Sequence, residues 1–277
     1  MNFIIKILRR FCTEFKLYLP IKYNNINEDI VVTLTSYPAR LNKLHLVIRA
    51  LLHQKMLPKN IVLYLDNNTK SKDIPKSLKK LQKYNFIIKE NYENLKPHNK
   101  YFYAMQEFPD KVIITVDDDL IYDENLISDL YNSYKKYPNC VSARRVHKMT
   151  QKDNKIESYN NWLWEYKNEL NPSHSLLATG VGGVLYPAHI LPKETFNKDD
   201  IKKYCLNTDD IWLKFMELKN DIKVVFTNSK IIHPLTIRNS QDSGLMHTNT
   251  SNENRNDINI KLMEDFTKIN LAKYVEN

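Results

Sequence analysis

Apolar residues in this chain fall into short continuous runs separated by stretches with helical spacing. Ile30–Leu34 (IVVTL), Ile61–Leu65 (IVLYL) and Val112–Val116 (VIITV) are rich in β-branched residues and lack polar alternation. That pattern suits strands covered on both faces, as in a parallel sheet. Between the first two runs, Leu44, Val47, Ile48, Leu51 and Leu52 recur every three or four residues, predicting a helix over 41–54. A polar helix at about 75–83, a third strand at 86–89 and a short helix at 101–107 continue the alternation. The resulting βαβαβαβ run predicts an α/β fold, a doubly wound and mostly parallel sheet with right-handed crossovers.

The same reading carries on to the C-terminus. It gives a helix over 126–137, a short strand over 140–143, and an irregular aromatic insertion over 149–172 above the carboxyl edge of the sheet. A glycine loop and Val184–Pro187 follow. A helix over 209–218 has Thr208 as its expected N-cap. Late strands are expected at 222–226 and 231–232, then a polar stretch over 239–257 and a closing helix over 258–274. Residues 1–23 interleave Phe3, Ile4, Ile7, Leu8, Phe11 and Phe15 with Lys6, Arg9, Arg10 and Lys16. Charge interrupts that segment too often for a membrane span, and it lacks the small-residue cleavage site after an apolar core that a signal peptide carries. A basic amphipathic helix on an anionic membrane surface and a terminal helix packed on its own domain both fit. The expected division is therefore a segment 1–23 and one domain over 24–277.

Composition narrows the partners. A formal net charge of +9 in 277 residues points to acidic ligands such as phosphates or an anionic surface. The charge is spread along the chain and not held in one block, so general solubility and membrane proximity fit it as well as nucleic-acid binding; the partner expected from the chain as a whole is not a nucleic acid. Three well-separated cysteines, Cys12, Cys140 and Cys205, form neither a disulfide framework nor a zinc spacing, which suits a reducing compartment. Only four glycines occur, and three of them are Gly180, Gly182 and Gly183. A chain that otherwise avoids glycine has placed it where backbone must turn or admit a close neighbour.

The candidate chemistry lies at the strand ends. Val112–Val116 runs directly into Asp117, Asp118 and Asp119, and ligands of open α/β sheets bind at the carboxyl ends of strands. Strand alternation would send Asp117 and Asp119 to one side and Asp118 to the other. Hard carboxylate oxygens suit Mn²⁺ or Mg²⁺, usually shared with substrate phosphates. An acidic turn leading into a helix near Asp123 and Glu124 fits the same residues. Asp209 and Asp210 form a second acidic group at a helix start. Lys96, His98 and Lys100 are candidate phosphate-neutralising cations or a solvated basic loop. Trp162 and Trp164 suit either a sugar-stacking platform or ordinary packing.

The motifs VVTLTSYPAR, a strand ending in Asp66, VDDD, TGVGGVLYP, TDDIWLKF and IIHP, in that order over residues 30–235, resemble the GT-A fold glycosyltransferases. The likeness is to the bacterial family-2-like enzymes of surface polysaccharide synthesis. The resemblance implies a nucleotide-diphosphate sugar lying across the first strands, touching Thr35, Tyr37, Arg40, Asp66, Lys100, Asp117, Asp118, Gly182 and Gly183. It implies that Asp119, Asp117 and His233 hold Mn²⁺ or Mg²⁺, and that Asp66 recognises the base. The acidic pair would supply the catalytic base, Asp210 with Asp209 beside it. The family pattern is Glu-Asp where this chain has Asp-Asp, which leaves the choice between the two open. The acceptor would be a glycan or lipid-linked hydroxyl, in capsule or lipopolysaccharide synthesis, with the enzyme cytoplasmic at the inner membrane face. A nucleotidyltransferase would use similar acids but carries a glycine-rich loop after its first strand, where this chain has none. A non-catalytic basic module would need neither acidic group.

Overall fold

The computed structural model describes residues 3–22, 24–228, 234–237 and 254–275. Seven strands form the main sheet: β1 Ile26–Ser36, β2 Leu57–Asp66, β3 Phe86–Tyr92, β4 Val112–Thr115, β5 Val141–Ala143, β6 Val184–Tyr186 and β7 Val224–Phe226. Their spatial order is β7-β5-β6-β4-β1-β2-β3. The pairs β3–β2, β2–β1, β1–β4 and β5–β7 are parallel, whereas β6 runs antiparallel to both β4 and β5. The expected mostly parallel sheet is present, with one strand reversed near its middle.

The continuous apolar runs are explained by cover on both faces. Ile30, Val32 and Leu34 of β1 pack with Leu44, Ile48 and Leu51 of α2 (Pro38–Leu52) and with Leu126 and Leu130 of the helix Leu126–Lys136. The intervening Val31 turns to the other face with Val62, Tyr64, Ile113 and Ala104, the last from the helix Asn99–Glu107. Pro38 begins α2 at the position where its missing N–H costs nothing. On the β5–β7 side a second core gathers around Trp212, Phe215 and Met216 of the helix Asp209–Lys219.

Several boundaries moved for local reasons. The expected polar helix over 75–83 is one α-turn, Lys76–Lys79, followed by tighter 3₁₀ winding to Tyr84. The helix after the acidic triplet starts at Leu126 as expected and ends one residue early, at Lys136. Thr208 precedes its helix but does not cap it. Its hydroxyl faces the Cys205 carbonyl at 3.5 Å and accepts from the Asn259 side chain, so tertiary partners replace the local one. The closing helix is Arg255–Thr267. The expected strand at 231–232 and most of the polar stretch over 239–257 lie outside the described residues. The N-terminal helix, α1, spans Phe3–Leu17. Leu17 is buried in the first core and Arg10 donates to the Thr236 carbonyl, whereas Phe11 and Phe15 are 68% and 61% exposed. No helix among the described residues is long and apolar enough to cross a membrane.

Candidate active site

The carboxyl ends of β1, β2 and β4 open onto a cavity of about 750 Å³. Its wall includes Thr35, Ser36, Tyr37, Arg40, Asp66, Asn94, Lys100 and Asp117–Asp119, and continues through Arg145–His147, Tyr159, Trp164–Tyr166, Thr179–Gly182 and Asn207–Ile211. The two acidic groups read from the sequence, 91 positions apart at Asp118 and Asp209, therefore share one chamber.

Lys100 joins them. Its ammonium lies 2.9 Å from Asp117 Oδ1 and 3.1 Å from Asp209 Oδ2. Burial alone would discharge it, but Asp117, Asp209 and Asp210 outweigh that effect and hold its pKa well above the ordinary lysine value. Its position is fixed by its own backbone, since the Lys100 carbonyl accepts from Thr33 Oγ1 on β1 at 2.7 Å. His98 fits neither expected reading, the phosphate-neutralising cation or the solvated loop, because it is fully buried. Burial pushes it down to about 4, and its nitrogens engage the Tyr101 hydroxyl at 2.7 Å and the Cys205 carbonyl at 2.8 Å. A neutral, fully engaged imidazole offers no charge to a phosphate.

The acidic triplet does not alternate as a strand would, because β4 ends at Thr115 and the chain turns through Asp118 and Asp119. Asp118 and Asp119 consequently face one guanidinium: Arg40 lies 2.5 Å from Asp118 Oδ1 and 3.2 Å from Asp119 Oδ2. Asp118 is held further by the Ser36 hydroxyl at 2.6 Å. Asp117 turns to Lys100 instead, and its N–H donates to the Tyr122 hydroxyl at 2.9 Å. Burial, then repulsion from Asp117, pushes the Asp119 carboxyl up to about 6.

The pair at the helix start is asymmetric. Burial raises the Asp209 carboxyl, but the Lys100 ammonium outweighs it and holds Asp209 below the usual carboxylate range. Asp210 accepts from the Gly180 N–H at 3.3 Å, and burial with the neighbouring Asp209 charge pushes it up to about 8.

The glycines have separate tasks. A Cβ on Gly180 would meet Lys100 Nζ at 3.1 Å and Asp117 Oδ1 at 3.4 Å, so this glycine makes room for the ion-pair centre. Gly182 lines the cavity but packs on Arg145 backbone, where a Cβ would come within 2.6 Å. Gly183 is not in the cavity wall. It sits at φ +81 against Leu126 and shapes the entry to β6. Asp66 lines the cavity, but its Oδ1 accepts from Asn68 N–H, Thr69 N–H and Thr69 Oγ1, each at 3.1 Å, and its Oδ2 takes Asn94. In this structure it closes a turn. Thr35 and Tyr37 lie in the cavity wall as expected, whereas His233 is outside the described residues. Sequence reasoning missed Arg145, Asn94, Tyr122 and Asn207, none of which belongs to a motif.

Among the described residues, no three His, Cys, Asp or Glu side chains are arranged to hold a metal by themselves. The donor chemistry nevertheless fits a hard cation completed by ligand oxygens. Asp119 is desolvated and repelled by its acidic neighbours, and a cation would relieve both costs.

The family model for glycosyl transferase family 2 matches residues 30–185, more than half of the chain. The chain belongs to glycosyl transferase family 2. Its mostly parallel α/β sheet is the GT-A arrangement expected of that family. The match ends before Asp209 and Asp210, so those two residues rest on the geometry above. No curated protein matches this glycosyltransferase. Solved structures similar to it are distant. One is 4-diphosphocytidyl-2C-methyl-D-erythritol synthase, at 9% identity and TM-score 0.45, over 80% of this chain and 97% of that one. Another is CMP:2-keto-3-deoxy-manno-octonic acid synthetase complexed with CTP, at 10% and 0.40, over 73% and 89%. A third is mannosyltransferase PcManGT from Pyrobaculum calidifontis in complex with GDP-Man and Mn²⁺, at 9% and 0.46, over 79% and 61%.

Proposed function

We propose that this family 2 member is a metal-dependent, inverting glycosyltransferase. It moves a sugar from a nucleotide-diphosphate donor to a hydroxyl of a glycan or lipid-linked acceptor, in capsule or lipopolysaccharide synthesis. The observation that carries the reading is the convergence of the Asp117–Asp119 turn and the Asp209–Asp210 pair on one cavity around Lys100.

In this reading the donor lies over the ends of β1, β2 and β4, against Thr35, Tyr37, Arg40 and Asp66. Asp119, with Asp117, would hold Mn²⁺ or Mg²⁺, which when bound supplies Lewis-acid stabilisation of the diphosphate. Lys100 adds a fixed positive charge beside the leaving group. Asp210 takes the proton of the acceptor hydroxyl. The freed oxygen bonds to the anomeric carbon as the bond to the diphosphate breaks, and its electron pair leaves with the diphosphate. A carboxylate raised to about 8 is matched to that task near neutral pH, whereas Asp209 is locked to Lys100. The exposed Phe11 and Phe15 on α1 support peripheral association with the inner face of an anionic membrane.

The test is a panel of nucleotide sugars with Mn²⁺, scored for transfer and for slow hydrolysis, with calorimetry of UDP and GDP. Asp210→Asn is expected to lower transfer about 10²–10⁴-fold with nucleotide affinity retained, and Asp209→Asn to act mainly on stability. Asp119→Ala is expected to remove the metal-dependent part of nucleotide affinity. Transfer at the wild-type rate in Asp210→Asn would refute the base assignment. Undiminished metal-dependent affinity in Asp119→Ala would refute the metal assignment.

A further inference from the structure

Beyond Asp210 the cavity wall becomes aromatic, and the two tryptophans of the insertion divide the work. Trp162 is buried, with its indole N–H donated to the Glu157 carbonyl at 2.9 Å. Trp164 lines the cavity and stays 42% exposed. Its N–H is satisfied inside the protein, by the Tyr159 carbonyl at 3.2 Å. What the ring offers to the cavity is therefore apolar π surface.

The ring is held rigidly. It stacks on His147 with centroids 4.9 Å apart and planes at 20°. Lys148 and Leu163 exchange backbone hydrogen bonds at 2.9 and 3.0 Å, and Tyr166 N–H donates to the Val146 carbonyl at 3.0 Å. Between these rungs Trp164 and Glu165 stand opposite the single residue His147, which makes a bulge. Glu165 takes φ +51, and its N–H donates to His147 Nδ1 at 3.0 Å. Bulges beside active sites commonly re-aim a side chain, and here the bulge carries an indole. Next to the ring, Arg145 lies 3.2 Å from Glu165 and donates to Thr179 Oγ1 at 2.9 Å. Tyr159 links this wall to the reaction centre. Its ring is 5.8 Å from Trp164, and its hydroxyl is pushed up by burial and by the Asp210 charge.

We propose that Trp164 is the platform of an acceptor subsite for a pyranose ring, with the C–H face of the sugar on the indole and its hydroxyls against Arg145 and Glu165. The subsite rests on the glycosyltransferase reading above and gives that reading its acceptor class: a sugar hydroxyl presented across Tyr159 to Asp210. Pre-organisation by the bulge leaves little side-chain entropy to lose on binding.

The probe is a set of methyl pyranosides (glucoside, galactoside, mannoside and N-acetylglucosaminide), followed by saturation-transfer NMR with the full chain. At least one is expected to receive saturation on its ring C–H protons. Trp164→Ala and Trp164→Leu, the second filling the wall without a ring, are expected to weaken binding at least about tenfold, and Trp164→Phe to retain most of it. Calorimetry of UDP or GDP with Mn²⁺ is expected to be the same in all four proteins. No ring-proton saturation in the wild type, or equal binding in the ring-less variants, overturns the subsite. Loss of nucleotide affinity in those variants also overturns it, by assigning the ring to the donor. Failure of the parent reading is seen separately, as a wild type that neither hydrolyses nor transfers any nucleotide sugar.

Discussion

Replacing Glu217 by Gln is expected to stabilise the protein at pH 8 and to leave it unchanged at pH 4. Glu217 is 1% exposed on the helix that carries the acidic pair, and its Oε2 has no hydrogen-bond partner. Its counter-ion, Lys214, stands 3.7 Å away and donates instead to the Leu176 carbonyl at 2.8 Å. Burial therefore wins over attraction and pushes the carboxyl up from the ordinary 4.5 to about 7. A group whose folded pKa is raised stabilises the fold in its protonated form, below the unfolded pKa, and loses that contribution as pH rises to the folded pKa. Each tenfold in proton affinity is worth about 1.4 kcal/mol, so ionised Glu217 costs the fold about 3 kcal/mol above pH 7. Gln keeps the shape of the protonated acid at every pH. Thermal melts of the two proteins should coincide at pH 4 and separate progressively between pH 4.5 and 7. At pH 8 the variant should melt about 6–12 °C higher, taking about 2–4 °C per kcal/mol for a chain of this size. Breaking a well-formed buried ion pair would have the opposite sign, a loss of about 3–5 kcal/mol. A Gln variant that melts lower than wild type at pH 8 would refute the reasoning.

Gly183→Ala is expected to cost about 3 kcal/mol in denaturant unfolding, because φ +81 suits only glycine and the new Cβ would come within 2.7 Å of Leu126 Cδ1. A midpoint unchanged from wild type would show that the β6 entry relaxes freely. Phe11→Ser with Phe15→Ser is expected to lower co-sedimentation with phosphatidylserine-rich vesicles about tenfold without changing the melt, since both rings are exposed. Truncation is a poorer test of the same point, because it also removes the buried Leu17 from the core.

The strands were legible wherever burial on both faces left an unbroken apolar run, as in Ile61–Leu65. The reversal of β6 was not, since Val184-Leu185-Tyr186 reads the same in either direction and only its partners set its sense. The acidic residues were legible as chemistry because carboxylates clustered at strand and helix ends repel one another and are costly to keep. Their partners were harder to read. Lys100 was visible as a cation but not as the bridge between Asp117 and Asp209, which depends on the fold bringing residues from distant segments together. His98 sat in a basic stretch that looked solvated, and nothing local signals its burial against the Cys205 carbonyl. Thr208 had the composition of a cap and lost that role to Asn259, far along the chain. Trp162 and Trp164 are two residues apart and alike in type. Only the bulge at Glu165 separates the buried one from the cavity one.

The reversed strand has a consequence for how such a protein diversifies. Ala143 at the end of β5 is paired directly with Val184 at the start of β6, so residues 144–183 leave and re-enter the sheet at the same rung. The ends of that excursion are pinned by the register and not by its length. Closing a longer or shorter loop between fixed ends changes the entropy only logarithmically, about 0.6 kcal/mol per doubling. Insertions and deletions there leave β1, β2 and β4 untouched, and with them the wall read here as the donor side. Within that excursion Met149, Trp162 and Leu176 are buried, so changes of length are cheapest at the exposed turn Lys152–Lys155.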